Sequence, residues 1–231
     1  MARKSNLDMR LVYENALAFA QRENINLQNA ICSQGYIRSE VAMGGGTQFN
    51  LPILVNQQQQ NGLNARILSN PLQLQDIFFV SEVLIGWTVA TSTAVNGKIY
   101  TYPSEAAAVA AGATAADIQT LYNGKFSLQI NNRNVVPSWD LNRHLMAPQT
   151  QENTNFNVTN ANLNAPSVRS SDEVDLSEDA FYPVEPGWIL NGAANINAQI
   201  SLPSAIATVP TNGAIVAIFR GIVIQNSTTV R

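Results

Sequence analysis

The sequence predicts an all-β fold, an antiparallel jelly-roll β-sandwich carrying an N-terminal helix and a short helical insertion. Three observations predict it. Apolar residues alternate with polar ones over several short segments, the period-two signature of half-buried strands. Five Asn-Gly pairs, beginning at Asn61, Asn96, Asn123, Asn191 and Asn212, punctuate those segments, and Asn-Gly tolerates the positive φ angles of tight reversals. The 231 residues are 45% hydrophobic, enough for a real core without disulfide staples. About ten strands separated by Gly, Pro and Asn turns fit one sandwich. A compact double jelly roll is the alternative, in which about sixteen strands would leave about fourteen residues for each strand with its loop.

Taken in order, residues 5–23 read as a helix. Ser5 with Asp8 forms a capping-box pattern, and Met9, Val12, Ala16, Phe19 and Ala20 recur at helical spacing. Ser39, Glu40 and the Gly44-Gly45-Gly46 joint precede the first strand, so residues 1–45 are expected to form a helical arm and linker, and residues 46–231 the jelly-roll domain. Phe49, Leu51, Ile53 and Val55 alternate with Asn50, Pro52 and Leu54 as a strand whose proline belongs on an edge or at a bulge. Gln57–Gln60 with Asn61-Gly62 is a loop. Asp76 to Ala90 is apolar on both faces, as a long central strand or bent pair would be, and Lys98 to Tyr102 is a shorter strand.

Residues 104–122 interrupt the β pattern with Ala-rich helical sequence. Pro103 and Ser104 open it, Gly112 breaks it, Thr114 with Asp117 is a second capping box ahead of Ile118, Leu121 and Tyr122, and Asn123-Gly124 stops it. Phe126, Leu128 and Ile130 resume the strand pattern, and residues 149–171 are a polar, Asn-rich surface excursion. Ile196, Ala198, Ile200 and Leu202 alternate with Asn195, Asn197, Gln199 and Ser201, giving one apolar and one amide face. Ala214 to Ile224 is apolar on both sides apart from Arg220, as in the middle of a sheet. The expected core includes Phe79, Trp87, Phe126, Ile200 and Phe219.

Composition narrows the function. Charged residues make up 13% against a usual quarter, the net charge is -3, and 27 Asn and 16 Gln make the polar surface mostly amide. Amides hydrogen-bond without repelling at a distance, which suits a surface destined for contact with copies of itself. The single Cys32 cannot form an internal disulfide or a thiolate zinc cage, and the single His144 excludes sites built from several imidazoles, cupin-type metal barrels among them. Arg3 and Lys4 run into Leu7-Asp8 without an apolar segment, so no signal peptide is expected, and the stretch from Ile77 to Ala90 is too short and polar for a membrane span. Basic residues are scattered, so strong direct nucleic-acid binding is not expected.

No catalytic, cofactor-binding or metal residue is assigned, and no enzymatic activity is expected. His144 has Ser138, Asp140 and Arg143 nearby in sequence but no nucleophile elbow, and reads as a packed, hydrogen-bonded residue. Cys32 reads as an inert buried thiol. Gly44-Gly45-Gly46 precedes a strand where a phosphate loop precedes a helix, so it is a joint. The acidic run Asp172, Glu173, Asp175, Glu178 and Asp179 lacks the spacing of a calcium loop and reads as solvated. Trp87, Trp139 and Trp188 read as core and interface aromatics in preference to a sugar-stacking platform. The acceptor patterns at Asn157 and Asn226 are expected by chance in a chain this rich in Asn and Thr.

Three blocks follow one another: Asp76 to Val80; Tyr122 to Phe126 leading into Val136 to Asp140 and Arg143-His144; and Phe181 to Pro186 before the last two strands. From about Ile37 to Asn226 their order resembles virion shell proteins of small phages infecting Bacteroidetes, similar to the jelly-roll major capsid proteins of lipid-containing icosahedral phages. The resemblance implies upright jelly rolls assembled as trimers into a shell, partnership with other virion proteins such as penton or spike, and an N-terminal helix at the inner face near a membrane. Location in the virion, after synthesis in the host cytoplasm, and contact of residues 1–36 with the inner membrane surface follow from it. A virion decoration, receptor-binding or carbohydrate-binding module is the alternative, because a sandwich alone does not choose a function.

Overall fold

The computed structural model describes residues 6–22, 25–27, 30–57, 70–89, 99–145, 181–225 and 228–229. They form helix α1 (Asn6–Arg22), strands β1 (Ile25–Asn26), β2 (Ile31–Ala42), β3 (Gln48–Leu51) and β4 (Ile77–Val89), helices α2 (Glu105–Ala110) and α3 (Ala115–Tyr122), and strands β5 (Lys125–Ile130), β6 (Arg133–Asp140), β7 (Tyr182–Asn191), β8 (Ile196–Ser201), β9 (Gly213–Gln225) and β10 (Thr228–Thr229). Two four-stranded sheets have the orders β2-β9-β4-β7 and β3-β8-β5-β6, and β1 pairs with β10. All ladders are antiparallel. The expected all-β antiparallel sandwich, with its N-terminal helix and helical insertion, is what the chain forms. The described residues make one sandwich, not the two barrels of the alternative.

The pairing has a simple order. The ladders β2·β9, β3·β8, β4·β7 and β5·β6 nest like the halves of one long hairpin. Rolling that hairpin brings β9 against β4 and β8 against β5. Its tip is Asn131-Asn132, with φ of 50° and 63°, the positive values a two-residue primed turn requires and Asn accepts more readily than other non-glycine residues. None of the five Asn-Gly pairs forms this tip. Asn123 caps the end of α3 and Asn212 takes φ 58° before β9, Asn191 ends β7, and Asn61 and Asn96 lie outside the described residues.

The core lies between the sheets. Trp87, Phe126, Ile200 and Phe219 are fully buried there, joined by Ile37, Phe49, Leu51, Val83, Ile85 and Leu128. α2 and α3 add Ala108, Ile118, Leu121 and Tyr122 to the same core. Ser104 caps α2 by accepting from the Ala107 amide, and the Thr114–Asp117 capping box of α3 is formed in both directions. Phe79 is buried too, but on the other face of its sheet. A bulge at Ser81 shifts the register of β4 between Val80 and Glu82, so Ile77 and Phe79 point outward with Ile222 and Ile224 of β9.

That outward apolar patch corrects the expectation that residues 1–45 form an arm outside the barrel. α1 lies across the patch, with Ala16 and Ala20 buried against it and Val12 and Phe19 packed alongside. Residues 31–42 are the edge strand β2, paired with β9 from Ile31↔Gln225 to Ala42↔Ala214. Arg38, Ser39 and Glu40 obscure its apolar pattern, and the backbone ladder holds them regardless of polarity. The Ser5 half of the first capping box lies outside the described residues, as do residues 149–171.

Smaller departures are local. β6 contains Pro137 and β7 contains Pro183 and Pro186, and neither reads as a strand in sequence. Both are edge strands, where a missing N–H is tolerated. Of the strand expected from Lys98 to Tyr102, Lys98 lies outside the described residues, and the rest forms only a bridge of Tyr100 with Trp87, occupying the flank of β4 beyond Tyr182, where β7 has ended. Val55 leaves the strand path for a single 3-10 turn.

Two substitutions test this packing. Gly187 has φ +96°, and a Cβ there would lie 2.5 Å from the Phe79 ring. Gly187→Ala is therefore expected to destabilise by at least about 2 kcal/mol, read as a lower denaturant midpoint at unchanged slope. Ser39 is fully buried beside Ala217 on β9, and its hydroxyl has no hydrogen-bond partner. Ser39→Ala should stabilise by about 1 kcal/mol in the same measurement, because it removes a desolvated hydroxyl and no bond.

Candidate functional site

His144 ends the 3-10 turn Leu141–His144 that follows β6. It is 2% exposed, and its Nε2 accepts the indole N–H of Trp139 at 2.9 Å. That bond places the proton of the neutral ring on Nδ1, which has no hydrogen-bond partner. Burial, reinforced by the charge of Arg143, lowers its pKa from 6.5 to about 4. Ser138 and Asp140 are exposed on β6, and neither is hydrogen-bonded to His144. The four residues that lie close in sequence do not assemble a nucleophile, base and orienter, and the lone pair a base would use is taken by Trp139.

The turn instead closes an aromatic column. Phe219 and Phe126 rings lie 6.2 Å apart, Phe126 and Trp188 stack at 5.8 Å, and Trp188 meets Trp139 edge-on at 5.5 Å. Tyr182 meets Trp139 at 5.1 Å, and the Arg143 guanidinium sits over Trp139 at 4.9 Å and Tyr182 at 5.6 Å. Four strands, β9, β5, β7 and β6, thus contribute to one continuous stack between the sheets. Trp87 is buried elsewhere, donating to the Tyr102 carbonyl at 2.7 Å. All three tryptophans are engaged internally, packed in or against the core.

Other sequence candidates fall in scattered places. Cys32 is half-buried on β2, and burial raises its thiol pKa, which lowers its reactivity. Gly44-Gly45-Gly46 carries the chain from β2 in one sheet to β3 in the other, with open space where side chains would stand. The acidic run from Asp172 to Asp179 lies outside the described residues. Among the described residues no group of three His, Cys, Asp or Glu is placed to hold a metal, and no helix is long and apolar enough to cross a membrane.

Two polar features were not legible in sequence. On the outward face of the first sheet, Arg38 and Glu40 form a buried ion pair at 2.6 Å. Glu82 is buried there too, 3.5 Å from Arg220, whose guanidinium lies 3.9 Å from the Phe181 ring. Where the β2 edge (Glu40 to Ala42) meets the second sheet, a groove of about 530 Å³ runs along β3 and the start of β8 to the β5–β6 turn. Asn50, Gln57, Gln129, Asn132, Asn195 and Asn197 line it. Alternation on β8 marks Asn195 and Asn197 as outward, but only tertiary pairing brings Gln129 and Asn132 beside them.

No family model, curated protein or solved structure matches the chain.

The His144 environment sets a pH dependence. The folded pKa lies below the unfolded value, so the unfolded chain takes up the proton first as pH falls below 6.5. Its contribution is present above 6.5, is lost progressively towards about 4 and is constant below. Wild type should lose up to about 3 kcal/mol across that window from this group. His144→Phe should lack that increment when denaturation midpoints are compared over the same pH series.

Proposed function

We propose that the protein is a structural subunit of a virion, a major capsid protein that self-assembles into an icosahedral phage shell. The observation that carries this reading is the strand order. Numbered along the eight sandwich strands, β2 to β9, the two sheets run 1-8-3-6 and 2-7-4-5, the double Greek key of a jelly roll, an architecture recurrent in viral capsids. The resemblance of the sequence blocks to phage shell proteins adds to it. The partners are other copies of the chain, as trimers and a larger shell, and neighbouring virion proteins such as penton or spike.

Surface chemistry supports the same reading. The second sheet presents Gln48, Asn50, Ser127, Gln129, Asn197, Gln199 and Ser201 outward, with Gln199 donating to Asn50 at 3.1 Å. Such a face makes hydrogen bonds to a neighbour without long-range repulsion. The inner-membrane role for residues 1–36 takes a narrower form. The apolar stripe of α1 faces its own sheet, so lipid contact would require the helix to leave that seat.

Sedimentation and negative-stain imaging of purified protein test the proposal. Trimers and larger particles that persist from low salt to roughly 0.5 M are expected, since screening weakens exposed ion pairs far more than amide and apolar contacts. A protein that stays monomeric at high concentration would overturn the shell reading.

A further inference from the structure

We propose that the amide-lined groove on the second sheet binds a neutral oligosaccharide bearing acetamido groups. Its volume of about 530 Å³ lies within the range of small-ligand sites. Among the described residues, four side-chain amides that line it, Gln129, Asn132, Asn195 and Asn197, make no hydrogen bond. They converge from three places: Gln129 from β5, Asn132 from the hairpin tip, and Asn195 and Asn197 from the start of β8. The ladder Gln129↔Asn197 and the bond from the Asn195 backbone N–H to Asn131 Oδ1 at 2.9 Å hold these three segments in register. Gln57 is fixed beside them, accepting from the Ile53 and Leu54 amides and donating to the Ile196 carbonyl.

Charge and shape select the ligand. Among the described residues the lining holds no Lys or Arg, and its one carboxylate, Glu40, is paired with Arg38. An anionic ligand therefore finds no cation, and a cationic one finds a carboxylate already compensated. A free side-chain amide both donates and accepts, and an acetamido group supplies the matching carbonyl and N–H. Pro52 in the lining offers apolar surface to the acetyl methyl. A peptide strand would dock by backbone pairing along a sheet edge, and β3 provides only four residues before Pro52. Phe49 lies in the lining but is 6% exposed, so ring stacking contributes little and affinity falls at about the millimolar level.

Titration of isotope-labelled protein with triacetylchitotriose, followed by NMR, tests this. Saturable shifts of the Gln129, Asn132, Asn195 and Asn197 side-chain amides are expected, with cellotriose, which carries hydroxyls in place of acetamido groups, at least about fivefold weaker. Asn132→Gly, which keeps the positive φ of the turn, and Asn197→Ala should each weaken binding about fivefold, the loss of one neutral hydrogen bond. Asn142→Ala, an exposed amide outside the groove, should leave it unchanged. No saturable shift, equal binding of the two sugars, or binding that survives both groove variants would overturn the proposal. So would loss of self-association in those variants without any sugar binding, which would make a second copy of the chain the occupant. The sugar titration reads independently of particle formation, so the shell proposal and this one can fail separately.

Discussion

Two neighbouring strands that are apolar on both faces govern this fold. β4 and β9 pair from Ile77↔Ile224 to Val89↔Gly213, and side chains on both of their faces are buried. One face is satisfied by the second sheet, as in any sandwich. The other needs a separate cover, because bare apolar sheet is costly in water at roughly 25 cal/mol for each Å². α1 supplies that cover over Ile77, Phe79, Ile222 and Ile224, and Ile99 and Phe181 pack at Leu84, Val216 and Ile218 further along. The helix is thus part of the folded unit, and its small residues Ala16 and Ala20 let it lie close to the strands.

The asymmetry between the sheets follows. The first sheet is covered on its outward side and carries buried charge there in compensated form, as Arg38 with Glu40 and Arg220 with Glu82. Losing one partner of such a pair would strand a buried charge, a larger cost than the pair itself is worth. Among the described residues, no helix or sheet covers the outward side of the second sheet, which carries amides and no ion pair. Any surface used for association or for ligands therefore falls most naturally on that side, where the amides of Gln129, Asn132, Asn195 and Asn197 make no hydrogen bond among the described residues. The aromatic column from Phe219 to Arg143 ties the two sheets together without using that surface.

The edges show a second economy of design. The edge strands β6 and β7 carry prolines, and prolines on an edge strand discourage its pairing with another chain. The same residues erase the alternation by which a strand is recognised in sequence. Protection of an edge and legibility of that edge are opposed, since the feature that blocks pairing is also the one that reads as a break.

Sequence alone determined the elements whose signal is local. Period-two patterning placed β5 and β8, runs apolar on both faces placed the central strands β4 and β9, and capping residues placed α2 and α3, because backbone geometry and neighbouring side chains suffice to specify them. Packed aromatic roles for Trp87, Trp139, Trp188 and His144 were legible for the same reason. Tertiary structure alone decided what those apolar faces meet. That α1 seats on the outward patch, that residues 31–42 join the sheet despite Arg38 and Glu40, and that Gln129 and Asn132 come to stand beside Asn195 and Asn197 all depend on register between segments far apart in the chain. Register is a property of the assembled ladders, fixed by which side chains fit together across them, and no single segment contains it.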